Sequence, residues 1–200
     1  VAMILGHDLL EPNEDTRVYR EALSLVKARY EVTVFCWARR MDKYETKWEV
    51  EKDGIKVVRI FEELEGGFFS KVRGFWRAMK QLQLKVEEYD AAIIHAHDLE
   101  TLETAVNAAK KNDAKVIFDS HEDWPMMEIV QNWFIGKYYQ RKQKKLLKKV
   151  DALLTDSDQL ALRLGARTVG ARARSCRGPI PYDPESGKRR SARGGALSII

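Results

Sequence analysis

Cysteine is scarce in this 200-residue chain: Cys36 lies in an apolar run and Cys176 in a polar one. Two cysteines so far apart give neither a metal-binding spacing nor a disulfide framework, so a reducing cytoplasm is the default expectation. No run approaches the roughly 18 to 20 consecutive apolar residues that cross a bilayer. The opening VAMILGHD is short and lacks a basic flank, so it reads as a first buried strand and not as a secretory leader. Glycine signatures are missing as well. Gly6 stands alone after the first apolar run, with no GxGxxG, which argues against a dinucleotide oxidoreductase. HExxH and similarly tight ligand spacings are also lacking, so no metal is expected, although five or six His and carboxylate side chains follow the apolar runs. No internal repeat is visible.

The net charge of +5 is unevenly placed. Residues 166–200 hold eight basic and two acidic side chains, so more than the whole excess sits in that segment and the rest of the chain is close to neutral. The segment is rich in arginine, proline and glycine and has no periodic apolar stripe, and it reads as a poorly ordered tail. Without interleaved aromatics it offers only nonspecific attraction to phosphates, so no specific nucleic-acid partner is expected.

Apolar runs of strand length occur at residues 2–5, 32–36, 55–60, 91–94, 116–118 and 152–154, mostly without clean alternation, as in strands covered on both faces. Helical patterns separate most of them. Val18, Ala22 and Val26 follow Asp15, a good cap; Phe68, Val72, Phe75, Met79, Leu82 and Val86 recur at spacings of three and four. Leu102, Ala105, Val106 and Ala109 make a third stripe, and Ile135, Tyr139, Leu146 and Val150 a fourth that Gln143 interrupts. Residues 37–53 fit neither period and suggest a loop with a short strand near Trp48. The alternation predicts an α/β fold: a Rossmann-like, doubly wound parallel sheet of six strands in three layers. One domain is expected over residues 1–164, with an irregular C-terminal tail over 165–200.

In such a sheet, ligands bind at the carboxyl ends of the strands, where helix N-termini also point. Gly6, His7 and Asp8 follow the first strand; His95, His97 and Asp98 the fourth; Asp119, Ser120, His121, Glu122 and Asp123 the fifth. These clusters should converge on one edge. Asp98 also suits a helix cap, and His95, which alternates with Ile94 and Ala96, suits a buried packing role. His97 is the better functional candidate.

Three stretches carry a family resemblance. EDTRVYREALSLVKARYEVTVFCW, YDAAIIHAHDLETLETAVNAAKKNDAKVIFDSHEDWP and LLKKVDALLTDSDQLALRL resemble, in that order, the N-terminal domain of family 4 retaining glycosyltransferases of the GT-B architecture. The resemblance spans roughly residues 1–164 and implies the acceptor-side half of a two-domain enzyme. Such an enzyme moves a sugar from a nucleotide-sugar donor to an acceptor hydroxyl with retention, using no cofactor beyond its substrates. It also implies that His97 lies beside the reacting sugar. Gly6, Asp15, Arg17, Asp98, Ser120, His121 and Glu122 would line the acceptor side of the cleft. No part of the chain after Leu164 resembles the donor half, so the isolated chain is expected to be inactive and to need a donor domain, supplied for instance by another chain. The competing reading is a non-catalytic Rossmann-like module that binds a sugar, a nucleotide or a partner.

Residues 137–150, KYYQRKQKKLLKKV, carry seven basic side chains. They read either as a solvated helix face or as a site attracted to anionic lipid, which would suit a lipid-linked acceptor as well as a glycan one. A cytoplasmic protein, peripheral on the inner membrane face in the second case, is expected.

Overall fold

Alternate residues of the buried strands feed opposite sides of one sheet. In the computed structural model, which describes residues 1–10, 14–38, 48–63, 66–121, 123, 125–126, 132–164, 173–175, 182–183 and 188–189, Ala2 and Ile4 of β1 (Ala2–Leu5) enter one core. Met3 and Leu5 enter another on the opposite face. β2 (Val32–Ala38) divides the same way, with Phe35 and Trp37 on the first side and Val34 and Cys36 on the second. This two-sided burial is why the strands read as continuous apolar runs.

The sheet also contains β3 (Glu49–Lys52), β4 (Ile55–Phe61), β5 (Ile93–His97), β6 (Lys115–Ser120), β7 (Ala152–Thr155) and β8 (Ala173–Ser175). Its order is β3-β4-β2-β1-β5-β6-β7-β8, and every pairing is parallel except β3 with β4. Setting aside β3 and β8, the six expected strands follow the Rossmann order, with chain direction reversing its march between β1 and β5. The antiparallel β3 is the short strand expected near Trp48. It joins β4 through Asp53 and Gly54, both at positive φ (53° and 78°), the conformation that an Asp-Gly hairpin turn requires. Three residues of the arginine-rich segment form β8 beside β7, and Tyr182–Asp183 pairs antiparallel with Lys188–Arg189. Most of 165–200 lies outside the described residues.

Helix α1 (Thr16–Lys27) begins where the Asp15 carboxylate accepts hydrogen bonds from the backbone N–H of Arg17 and Val18. It covers the second core with Val18, Tyr19 and Ala22. The first core is the larger and takes in α2 (Phe68–Tyr89), α3 (Asp98–Asn112) and α4 (Trp133–Leu147); the short α5 (Asp158–Leu164) closes beside β7. The α2 stripe is buried mainly in its second half: Met79, Leu82 and Val86 are buried and Phe75 packs partly buried against the core, whereas Val72 is exposed. Gln143 does not break the α4 stripe, because it is itself buried there, while Ile135 is exposed.

A buried ion pair anchors the loop after β1. Arg59 of β4 reaches Asp8 through Nε at 2.5 Å and Nη2 at 3.3 Å, with both side chains almost fully buried, and Asp8 also accepts from the N–H of Leu10 at 2.9 Å. Removing one partner strands the other charge in a low-dielectric site. Arg59→Leu is therefore expected to cost about 3–5 kcal/mol in urea unfolding. Asp8→Asn in the Arg59→Leu background should recover part of that loss.

Candidate functional site

The strand order brings the three sequence clusters to one edge. Ile4 is level with Ala96 across β1 and β5, and His97 is level with Asp119 across β5 and β6. Gly6, His7 and Asp8 leave β1, His97 ends β5, Ser120 ends β6 and His121 leaves it, all at the carboxyl side of the point where strand order reverses.

Beneath that edge the sheet changes character. On β5 and β6 the residues that face the first core are apolar: Ile94, Ala96, Val116 and Phe118. Their alternating neighbours on the α1 side include His95, His97 and Asp119, each at most 5 % exposed. Asp119 is the hub. Its Oδ2 lies 2.6 Å from Nε2 of His121 and 3.5 Å from Nδ1 of His97, and the His95 and His97 rings stack with centroids 4.2 Å apart. Burial alone would raise the Asp119 pKa, but the His121 hydrogen bond and the fields of His97 and His95 outweigh it, holding the carboxyl well below the usual carboxylate range. Burial pulls on His121 too, yet its bond to the Asp119 charge raises it above the ordinary imidazole value. His95 shifts the other way: burial, reinforced by His97, keeps it neutral.

Glu21 of α1 faces this layer, and burial raises its pKa. The sequence reading did not single it out. The signal available was its place one helical turn after Arg17, on the same face of α1.

The rim is more open. Arg17 Nη2 is 4.0 Å from the carboxylates of both Asp15 and Asp98, and its side chain is about one-third exposed. His7 Nε2 lies 3.0 Å from Asp15 Oδ2; that hydrogen bond, with those from the α1 backbone and the nearby Arg17, holds the Asp15 carboxyl well below its ordinary value. Gly6 lies against the carboxylate end of Glu100 from the first turn of α3, which would have to swing aside to admit a Cβ there. Asp98 is the first residue of α3 and has a φ of 64°, so β5 passes into the helix with no connecting residue. Its expected capping role is not filled by its side chain: the N-cap is His97, which makes no side-chain cap bond.

Of the expected site residues, Gly6, Asp15, Arg17, Asp98, Ser120 and His121 thus gather around one edge, and Glu122 lies outside the described residues. His97 is the deepest of the expected site residues, its side chain 1 % exposed, whereas that of His121 is 17 % exposed.

A groove of about 620 Å³ lies on the opposite face of the sheet, between α2, α3 and α4. Phe75, Trp76 and Tyr138 line it, and Lys71, Lys80 and Lys142 stand at its sides. Lys142 is engaged, with Glu103 at 2.6 Å and the Trp76 ring at 5.0 Å.

The Asp15 shift has a consequence for acid stability. A carboxyl whose pKa is lower in the folded state adds stability that is present above its unfolded value, about 3.9, and lost as pH falls below it. Asp15→Asn keeps a good cap while removing the charge. The variant should lose less stability than wild type between about pH 5 and 3, as measured by chemical denaturation across that range.

Among curated protein sequences none matches this chain. Solved structures do: sucrose-phosphate synthase from Thermosynechococcus elongatus aligns at 16 % identity and a TM-score of 0.56, over 90 % of each chain. A longer structure of that protein aligns at 14 % identity and 0.60, over 90 % of this chain and 47 % of the other. A trehalose-6-phosphate structure from E. coli, bound with UDP-2-fluoro glucose, aligns at 17 % identity and 0.55, over 80 % of this chain and 41 % of the other. At these identities the likeness is one of fold, and the chain spans less than half the length of the two longer structures. The family model for Glycosyltransferase Family 4 matches residues 15–174, past the end of α5 and into β8, and the chain belongs to that family.

Proposed function

We propose that this chain forms the acceptor-side half of an enzyme that transfers a sugar, with retention, from a nucleotide-sugar donor to an acceptor hydroxyl. The observation that carries the reading is the rim of Arg17, Asp98 and His121 above the buried Asp119, at the strand ends of a domain with the family's sequence pattern. The similar E. coli structure, bound with UDP-2-fluoro glucose, supports a nucleotide sugar as the donor class.

Glycosyl transfer requires the acceptor hydroxyl to be oriented and relieved of its proton as an oxocarbenium-like centre develops. His121 fits that task. Its Nε2 is committed to Asp119, which fixes the ring and leaves Nδ1 without a hydrogen-bond partner among the described residues. A hydroxyl donating to Nδ1 would be positioned, and the imidazolium formed on proton transfer would be stabilised by the Asp119 charge. His97 serves as a positioning residue, since it flanks Asp119 and does not reach the rim. Arg17, between two carboxylates, would present its guanidinium to acceptor oxygens. Stabilisation of the departing diphosphate falls to groups outside this chain.

The 200-residue chain alone is expected to bind acceptor sugars at the rim and to show no turnover of a nucleotide sugar. Saturation-transfer NMR with a panel of glycan acceptors, beside a donor-consumption assay, checks both parts. Robust turnover by the chain alone would overturn the half-enzyme reading. Binding that an Arg17→Ala, His121→Ala double variant leaves unchanged would overturn the rim assignment.

A peripheral membrane position also has support. The chain exposes Phe69 at the start of α2 and Trp133 and Phe134 at the start of α4, and α4 continues with the basic side chains Lys137, Arg141, Lys144 and Lys145. Aromatic side chains at an interface, backed by cations worth about 1 kcal/mol each near anionic lipid, suit a lipid-linked acceptor. Among the described residues no helix is long and apolar enough to cross a membrane. The chain should therefore co-sediment with anionic vesicles at low salt, release at high salt, and bind less after Trp133→Ser with Phe134→Ser. Equal binding to neutral vesicles would count against the basic face.

A further inference from the structure

The layer beneath the rim holds more hydrogen-bonding capacity than its neighbours use. Nε2 of His97, Nε2 of His95 and Oε2 of Glu21 are buried without a hydrogen-bond partner, and Nδ1 of His97 has only its long 3.5 Å contact with Asp119. Each such atom is costly to bury if nothing fills its lone pair or takes its proton. Four in one small volume are too many for packing alone to explain.

Their arrangement is specific. One ligand-capable atom from each of Glu21, His95, His97 and Asp119 can be chosen so that all four lie within 4.8 Å of one another. They come from three elements whose positions are fixed independently: α1, by its cap and its apolar face on the sheet, and β5 and β6, by their shared register. His95 and His97 are 5 % and 2 % exposed, so both imidazoles are held within the protein and not displayed on its surface.

From this geometry we infer that Glu21, His95, His97 and Asp119 form a binding site for a transition-metal dication of the zinc class. Two imidazoles and two carboxylates are a donor set that zinc accepts, whereas magnesium and calcium favour oxygen ligands throughout. Bonds of about 2.1 Å in a tetrahedral site put ligand atoms about 3.4 Å apart, so side-chain rotations of about 1 Å bring the widest pair into range. The carboxylates and imidazoles are spread over residues 21 to 119, which explains why spacing in the sequence gives no hint of them. His121, hydrogen-bonded to Asp119 from outside the set, would orient that carboxylate as the outer partner of a ligand commonly does. The site would brace the floor under the rim. It does not depend on the transferase reading, which needs no metal.

The test uses the 200-residue chain stripped with a chelator and dialysed. Isothermal titration with Zn²⁺ should show a single equivalent bound, with a raised melting temperature. Co²⁺ should bind at the same stoichiometry and give the visible absorption of a low-coordinate site, and Mg²⁺ should neither stabilise nor compete. Glu21→Gln and His95→Asn should each weaken Zn²⁺ binding by at least about 100-fold, while His7→Ala leaves it intact. Far-ultraviolet circular dichroism checks that the variants are folded. If they are not, NMR of the wild-type Co²⁺ complex replaces them and should show strongly shifted ring protons from two histidines. No binding to folded wild type, equal stabilisation by Mg²⁺, unchanged affinity in both ligand variants, or no shifted histidine protons would each overturn the assignment.

Discussion

A carboxylate that is 2 % exposed stays ionised only if neighbouring groups replace the water it has lost, and Asp119 has such groups on two sides. His121 donates or shares a proton at 2.6 Å, and His97 stands at 3.5 Å. Those contacts fix where His121 points and therefore where the rim offers a ring nitrogen. One charge thus links the sheet interior, the rim and the α1 helix that closes over it.

The two faces of the sheet divide the work. One face carries the larger apolar core, in which residues such as Leu82, Ile94, Leu102 and Phe118 are fully buried. At about 1.5–3 kcal/mol for each large apolar side chain removed from water, that core can carry the fold. The other face is apolar only under β1, β2 and β4, and it turns polar under β5 and β6. A sheet with both faces equally greasy would be more stable, but it would have nowhere to hold a charged cluster. Stability and chemistry are therefore separated by the thickness of one sheet.

Much of the architecture was legible in the residues. The six parallel strands and the first four helices follow from apolar runs and three-four spacing, because burial on both faces or on one stripe leaves those periods in the sequence. Strand ends were less legible. β5 runs on through His95 and His97, where polar residues suggested that the strand had stopped, and β6 extends to Ser120 for the same reason. Convergence of His97, Asp119 and His121 was also readable, since strand-end position follows from topology. Depth was not: nothing in the spacing of His97 distinguishes a residue facing α1 from one facing solvent. Glu21 and the Asp8–Arg59 pair escaped for a further reason. Long-range partners carry no local period, and a glutamate on an amphipathic helix looks like any solvated one.

The strand-to-helix junction at Asp98 leaves no slack. His97 closes β5 and Asp98, with its left-handed φ of 64°, already begins α3, so the backbone turns within a single residue. Length cannot be added or removed there without dragging either the sheet register or the helix axis. Evolution within this family would accordingly find that corner frozen. Any change of length at this edge is left to the connections that follow β1 and β6, on either side of that pivot.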